Sequence, residues 1–213
     1  MDDVYRHQRY VYDFTRKYYL FGRDRLIREL DAGPGSSVVE IGCGTGRNLI
    51  KMARRYPGAR FYGLDASALM LETARAAVAR AGLSGRVFLA HGLAEDLSPS
   101  MFGLTEPFSH AVFSYSLSMI PDWKQSLSRA AQVVGDGRVF VVDFGDLQGL
   151  GDLGARILRR WLRLFHVTPR TEILQKLETL QVHGEQDASL RILPAHYAFI
   201  WQGRGGTVQK LAL

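Results

Sequence analysis

A short apolar run, Val38-Val39-Glu40-Ile41, breaks directly into Gly42-Cys43-Gly44-Thr45-Gly46. The run reads as a buried strand, and glycines at alternate positions let the backbone turn sharply at its carboxyl end and pass close to a ligand. Asn48 to Tyr56 then reads as a helix closed by Pro57-Gly58. The free N–H groups at its start face the space above the loop and favour a carboxylate or another polar group there. A strand, a glycine turn and a helix in this order commit the chain to a sheet with a crevice at the strand ends.

The rest of the chain extends that unit. Arg60-Phe61-Tyr62-Gly63-Leu64, Val87-Phe88-Leu89-Ala90, His110-Ala111-Val112-Phe113-Ser114 and Arg138-Val139-Phe140-Val141-Val142-Asp143 read as further strands. Ala68 to Ala81 and Trp123 to Val134 read as helices between them. Strands alternating with helices predict an α/β fold, a Rossmann-like, doubly wound and mostly parallel sheet. Beyond residue 150 the pattern changes to one long helix, followed by strand-like pieces at Leu190 to Leu193 and Tyr197 to Trp201. With 213 residues, one core is expected. Residues 1–34 form a helical lid in this reading, 35–204 the ligand-binding domain, and 205–213 a tail without assignment.

The loop differs from the dinucleotide fingerprint, which needs glycine where this chain has Arg47. Its acidic lead and spacing, Glu40-x-Gly42-x-Gly44-x-Gly46, resemble the first motif of class I S-adenosylmethionine-dependent methyltransferases. Asp65 ends the second strand, where a carboxylate accepts from both ribose hydroxyls. Asp65-Ala66-Ser67-Ala68-Leu69-Met70-Leu71 is similar to the family's D-x-S-x-x-M-L motif, in which the methionine packs near adenine. After the third strand the family often carries Asp-Ala, whereas this chain has Leu93-Ala94-Glu95-Asp96. Leu93 therefore removes the expected adenine-binding aspartate and leaves the Ala94 backbone to serve. The resemblance spans about residues 35–145. It implies S-adenosylmethionine as cofactor, held by Glu40, Gly42, Cys43, Gly44, Gly46, Asp65, Ala66, Met70, Ala94 and Glu95, with Ser114 after the fourth strand and Arg23 from the lid. The competing reading is a sheet binding NAD or a nucleotide.

A net charge of +6 and a pI near 9.6 suit an acidic partner, either nucleic acid or an anionic membrane. The basic residues gather on a helix near 150–166. At 100° per residue, Leu153, Ile157, Leu158, Trp161, Leu162, Leu164 and Phe165 share one broad face, and Arg156, Arg159, Arg160 and Arg163 cluster opposite. That pattern suits an interfacial helix on anionic lipid. No aromatic–basic nucleic-acid motif accompanies it, so no nucleic-acid partner is expected. Met1 to Arg6 lack an apolar core like that of a secretory signal and no apolar run reaches membrane-spanning length, so the expected location is cytoplasmic, peripheral at the inner face of the membrane. The lone Cys43 excludes a disulfide framework. His166, His183 and His196 lack the tight spacing of a metal site, and no metal is expected.

Tyr12-Asp13, Thr15-Arg16-Lys17-Tyr18-Tyr19 and Gly22-Arg23-Asp24-Arg25-Leu26-Ile27, together with Phe113-Ser114-Tyr115-Ser116-Leu117-Ser118-Met119-Ile120, resemble the bacterial diacylglycerylhomoserine N-methyltransferases of betaine-lipid synthesis. The likeness runs to about residue 204. It implies three successive methylations of the homoserine amine on a lipid, with the enzyme that makes the homoserine lipid as a possible partner. The chemistry needs no nucleophilic triad, only an acceptor lone pair aligned with the methyl–sulfur bond. Tyr18 and Tyr19 are candidates to surround the growing cation, each ring face contributing about 0.5–2 kcal/mol, and Arg23 or Lys17 to pair with a carboxylate. His91 and His196 are the candidate general bases. Rival readings are a methyltransferase for another small or apolar acceptor such as a quinone, RNA methylation motivated by the net charge of +6, and a non-catalytic, cofactor-binding, membrane-associated protein, for which Leu93 is the only argument.

Overall fold

The computed structural model describes residues 20–163, 171–182 and 187–212. Seven strands form one sheet: β1 (Ser37–Ile41), β2 (Arg60–Asp65), β3 (Val87–His91), β4 (His110–Ser114), β5 (Arg138–Phe144), β6 (Ser189–Ile192) and β7 (Ala198–Arg204). The helices are α1 (Arg23–Glu29), α2 (Arg47–Arg55), α3 (Ala68–Arg80), α4 (Trp123–Val134), α5 (Gly151–Arg163), α6 (Thr171–Val182) and α7 (Gly205–Ala212). The strand order is β3-β2-β1-β4-β5-β7-β6. The first five strands run parallel, and β7 lies antiparallel to both β5 and β6. The expected doubly wound sheet is what forms.

Period-two alternation places successive residues on opposite faces. Val38 joins a core with Leu26, Leu30, Leu49 and Met52, whereas Val39 and Ile41 join a second core with Trp123, Leu127, Val141 and Trp201. Glu40 shares the face of Val38, beneath α2, which is why its carboxylate is buried (1% exposed). The chain winds outward from β1 to β3 and then returns to place β4 on the other side of β1. This reversal leaves a crevice beyond the carboxyl ends of β1 and β4.

The region after β5 departs from the sequence reading in three ways. The helix expected near 150–166 is α5, and a further helix, α6, follows it and buries Ile173, Leu174 and Leu177. The terminal stretch forms α7, which packs on α4 and β7, with Val208 fully buried. Finally, the broad apolar face of α5 divides. Leu158 packs against the core, while Ile157, about 100° round the helix, is 62% exposed beside exposed Arg156 and Arg160. Leu164 and Phe165 lie outside the described residues, as do Lys17, Tyr18, Tyr19 and the rest of 1–19. The described part of the expected lid is packed on the sheet: Leu20, Leu26, Ile27 and Leu30 are buried, and Gly22 abuts Leu193, Val142 and Ile200. No helix among the described residues is long and apolar enough to cross a membrane.

Candidate active site

The glycine loop bends back on itself over β1. Gly42 has φ +74°, and its α-carbon faces Ser116 so closely that a β-carbon would lie 2.6 Å from that of Ser116. The Gly42 and Cys43 amides both donate to the Leu64 carbonyl, and the Gly46 amide donates to that of Cys43. Gly44 donates to Asp65 Oδ2 at 2.7 Å. Asp65 Oδ1 accepts from the Ser67 amide at 2.9 Å, and the Ser67 hydroxyl caps α3 by accepting from the Met70 amide. One carboxylate thus fixes the loop and the start of α3 together.

A cleft open to solvent lies over these atoms. Gly42, Gly44, Asp65, Ala66, Ser67 and Met70 line it from β1 and β2, and Gly92, Leu93, Ala94 and Glu95 from the turn after β3. The segment after β4 supplies Tyr115, Ser116, Met119, Ile120 and Pro121. Leu93, half exposed at 49%, presents an apolar surface where the resemblance led us to expect a carboxylate.

Beneath the loop, the Asn48 amide donates to Glu40 Oε1 at 2.7 Å and to the Ser114 hydroxyl at 3.1 Å. Glu40 Oε2 has no hydrogen-bond partner among the described residues. Burial pushes the Glu40 carboxyl up to about 7, against the opposing pull of Asn48 and of the Arg23 and Arg47 charges.

Of the residues predicted from sequence, Gly42, Gly44, Asp65, Ala66, Met70, Ala94 and Glu95 converge on the cleft, with Glu40 and Ser114 directly below. Cys43 is buried behind the loop, its thiol pKa raised by burial. Gly46 starts α2 and packs on Ala74. Arg23 sits buried at the start of α1, its Nε donating to the Leu20 carbonyl, within electrostatic reach of Glu40. Neither candidate base lines the cleft. His91 is exposed, with Nε2 3.1 Å from the Ala66 carbonyl oxygen. His196 Nδ1 lies 3.2 Å from Asp146 Oδ1.

Asn48 and Asp143 are buried polar residues at the strand ends to which the sequence reading gave no role. Asn48 was visible as a polar residue opening the helix after the glycine loop. Asp143 was visible as a carboxylate near the end of an otherwise apolar strand.

Residues 38–137 match the family model of the methyltransferase domain. They are a class I S-adenosylmethionine-dependent methyltransferase domain. Its cofactor is S-adenosylmethionine. The chain is 29% identical over 121 residues to trans-aconitate 2-methyltransferase of Afipia carboxidovorans, covering 57% of this chain and 43% of the relative. It is 38% identical over 72 residues to ribosomal RNA small subunit methyltransferase C of Pseudomonas aeruginosa, covering 34% and 22% respectively. The chain therefore spans less than half the length of either relative. Among solved structures, the methyltransferase SibL in its apo form superposes with TM-score 0.67 at 22% identity, over 91% of this chain and 57% of that one. Geranyl diphosphate C-methyltransferase of Streptomyces coelicolor, solved with S-adenosyl-L-homocysteine, superposes with TM-score 0.64 at 16% identity, over 85% and 78%. These two share the fold of the methyltransferase.

Proposed function

We propose that this methyltransferase transfers methyl groups from S-adenosylmethionine to the amine of diacylglycerylhomoserine, three times in succession. The observation that carries the reading is a meeting of two segments. The Tyr115 hydroxyl, from the segment after β4, donates to the Phe21 carbonyl at 2.6 Å. The segment after β4, which lines the cleft and forms its apolar outer wall with Met119, Ile120 and Pro121, is thus tied to the described end of the amino-terminal segment.

The residues fit the cofactor. Glu40 offers a buried carboxylate oxygen without a hydrogen-bond partner among the described residues, suited to the ammonium of the methionine moiety. Asp65, fixed at the cleft wall, is placed for the ribose hydroxyls, and Leu93 and Met70 for the faces of the adenine. Bound cofactor supplies a methyl group on a sulfonium, already activated for transfer to a lone pair.

The chain's own contribution is placement and desolvation. Burial and the adjacent Asp143 charge push the Tyr115 phenol well above its usual range, so it stays neutral. A neutral ring tolerates an acceptor that gains positive charge. The apolar wall disfavours an ammonium, which lowers its pKa and exposes the lone pair. Among the described residues that line the cleft none is a histidine, and water is sufficient to take the proton. Exposed Ile157, Arg156 and Arg160 on α5 support docking on an anionic membrane, where the lipid acceptor resides.

The test is incubation with labelled S-adenosylmethionine and diacylglycerylhomoserine vesicles, followed by mass analysis. The lipid mass should rise in steps of one methyl group, ending at three. An unlabelled lipid, with label passing instead to a quinone, trans-aconitate or ribosomal RNA, would overturn the assignment.

A further inference from the structure

Asp143 is 3% exposed and lies at the carboxyl end of β5, where the reaction as described does not use it. Its Oδ2 accepts from the Ser118 amide at 3.0 Å, and its Oδ1 accepts from the Phe144 amide at 2.8 Å. The segment it grips is unusual. Tyr115 is buried in the left-handed region (φ +56°), a conformation that costs a side chain of this size on the order of 1–3 kcal/mol unless the surroundings hold it.

The holding contacts divide the segment in two. Its cofactor side is anchored by Ser116, whose hydroxyl donates to the Ile41 carbonyl at 2.8 Å, and by the Tyr115 amide on the Val142 carbonyl at 2.7 Å. The far side is a single turn in which the Met119 and Ile120 amides both donate to the Ser116 carbonyl. Asp143 grips the middle of that turn. Met119 and Ile120, which the turn carries, form the outer wall of the cleft.

We propose that Asp143 is a positioning residue for the methyl acceptor, clamping the turn 116–120 so that Met119 and Ile120 present a fixed wall opposite the cofactor. It touches neither ligand and acts through the Ser118 amide. This inference rests on reading the cleft as the cofactor and acceptor site. An uncharged isostere accepts through one oxygen only, so Asp143→Asn leaves one of the two buried amides without its acceptor.

Three readouts on the full chain test this in Asp143→Asn, with Asp143→Ser as a smaller replacement should the first fold poorly. They are the dissociation constant of S-adenosylhomocysteine, amide hydrogen exchange across 116–120, and the KM for diacylglycerylhomoserine. The expected result is cofactor-product affinity within about twofold of native, faster exchange in 116–120 but not in 42–46, and an acceptor KM raised about tenfold or more. Native exchange in 116–120, or a native KM in a variant that loosens the turn, would overturn the inference. If the native protein leaves this lipid unmethylated, the failure belongs to the acceptor assignment. Exchange then decides alone: selective loosening of 116–120 upholds the clamp, and its absence refutes it.

Discussion

Gly42 and Ser116 stand so close that a β-carbon on the first would lie 2.6 Å from the β-carbon of the second, a separation real side chains do not reach. The glycine loop after β1 and the turn after β4 are therefore packed as one surface, with the Ser116 hydroxyl bonded to Ile41 just below. Gly42→Ala should force the two apart in addition to straining a backbone at φ +74°. We expect a loss of stability of about 1–3 kcal/mol, read as a lowered thermal midpoint, and a loss of S-adenosylhomocysteine binding in calorimetry.

Glu40 makes cofactor affinity depend on pH. Burial raises its carboxyl from the ordinary 4.5 to about 7, so below pH 7 the free protein holds it protonated. The cofactor ammonium needs the anion. Affinity for S-adenosylhomocysteine should therefore be flat above about pH 7 and fall on acidification, approaching tenfold per pH unit. The folded state keeps a proton that the unfolded chain has lost between 4.5 and about 7, so stability of the ligand-free protein should fall as pH rises through that window. Glu40→Gln should abolish both slopes, as measured by titration calorimetry and denaturant unfolding.

Leu93 tests how adenine is held. It is 49% exposed, so replacement should leave the thermal midpoint nearly unchanged. Leu93→Asp supplies an acceptor at the position where the resemblance leads one to expect it. Affinity for S-adenosylhomocysteine should tighten by up to about tenfold, in line with one added hydrogen bond. Weaker binding in the variant would mean that apolar contact is what this site uses.

Ile157 tests the docking face. As an exposed side chain on α5 (62%), its replacement by aspartate should shift stability by less than about 0.5 kcal/mol. Co-sedimentation with anionic vesicles should nevertheless drop, because the change removes buried apolar area and introduces a repelled charge. Arg156→Glu combined with Arg160→Glu should lower it further at low salt and little at high salt. Unaltered sedimentation in both variants would remove α5 from the membrane.

The sequence exposed most of the sheet because β1 to β5 are local apolar runs bounded by turns or helices. Their limits agree with the structure to within a residue. The antiparallel edge was legible only as two pieces. Its pairing of Arg138 with Arg204 joins positions far apart in the chain, and nothing local records such a partner. Helix α6 carried a readable signal, Ile173, Leu174 and Leu177 at helical spacing, that the sequence reading left without an assignment. On α5 the periodicity located the apolar residues but not the core, so Leu158 and Ile157 shared a face on paper and part company in the fold. In the site, Asp65 and the glycines were visible because each stands at the carboxyl end of a strand that is itself readable, β2 for Asp65 and β1 for the glycines. The bond of Asp143 to Ser118 spans 25 residues and two elements, and only folding brings it into view.

The most direct test of the cofactor site is calorimetric titration of S-adenosylhomocysteine into the native protein and into Asp65→Ala at pH 8. The native protein should bind at a single, saturable site. The variant loses the acceptor for Gly44 and Ser67 and the expected ribose contacts, and should bind at least about a hundredfold more weakly. Equal affinity in the two proteins, or no binding to the native one, would contradict the placement of the cofactor in this cleft.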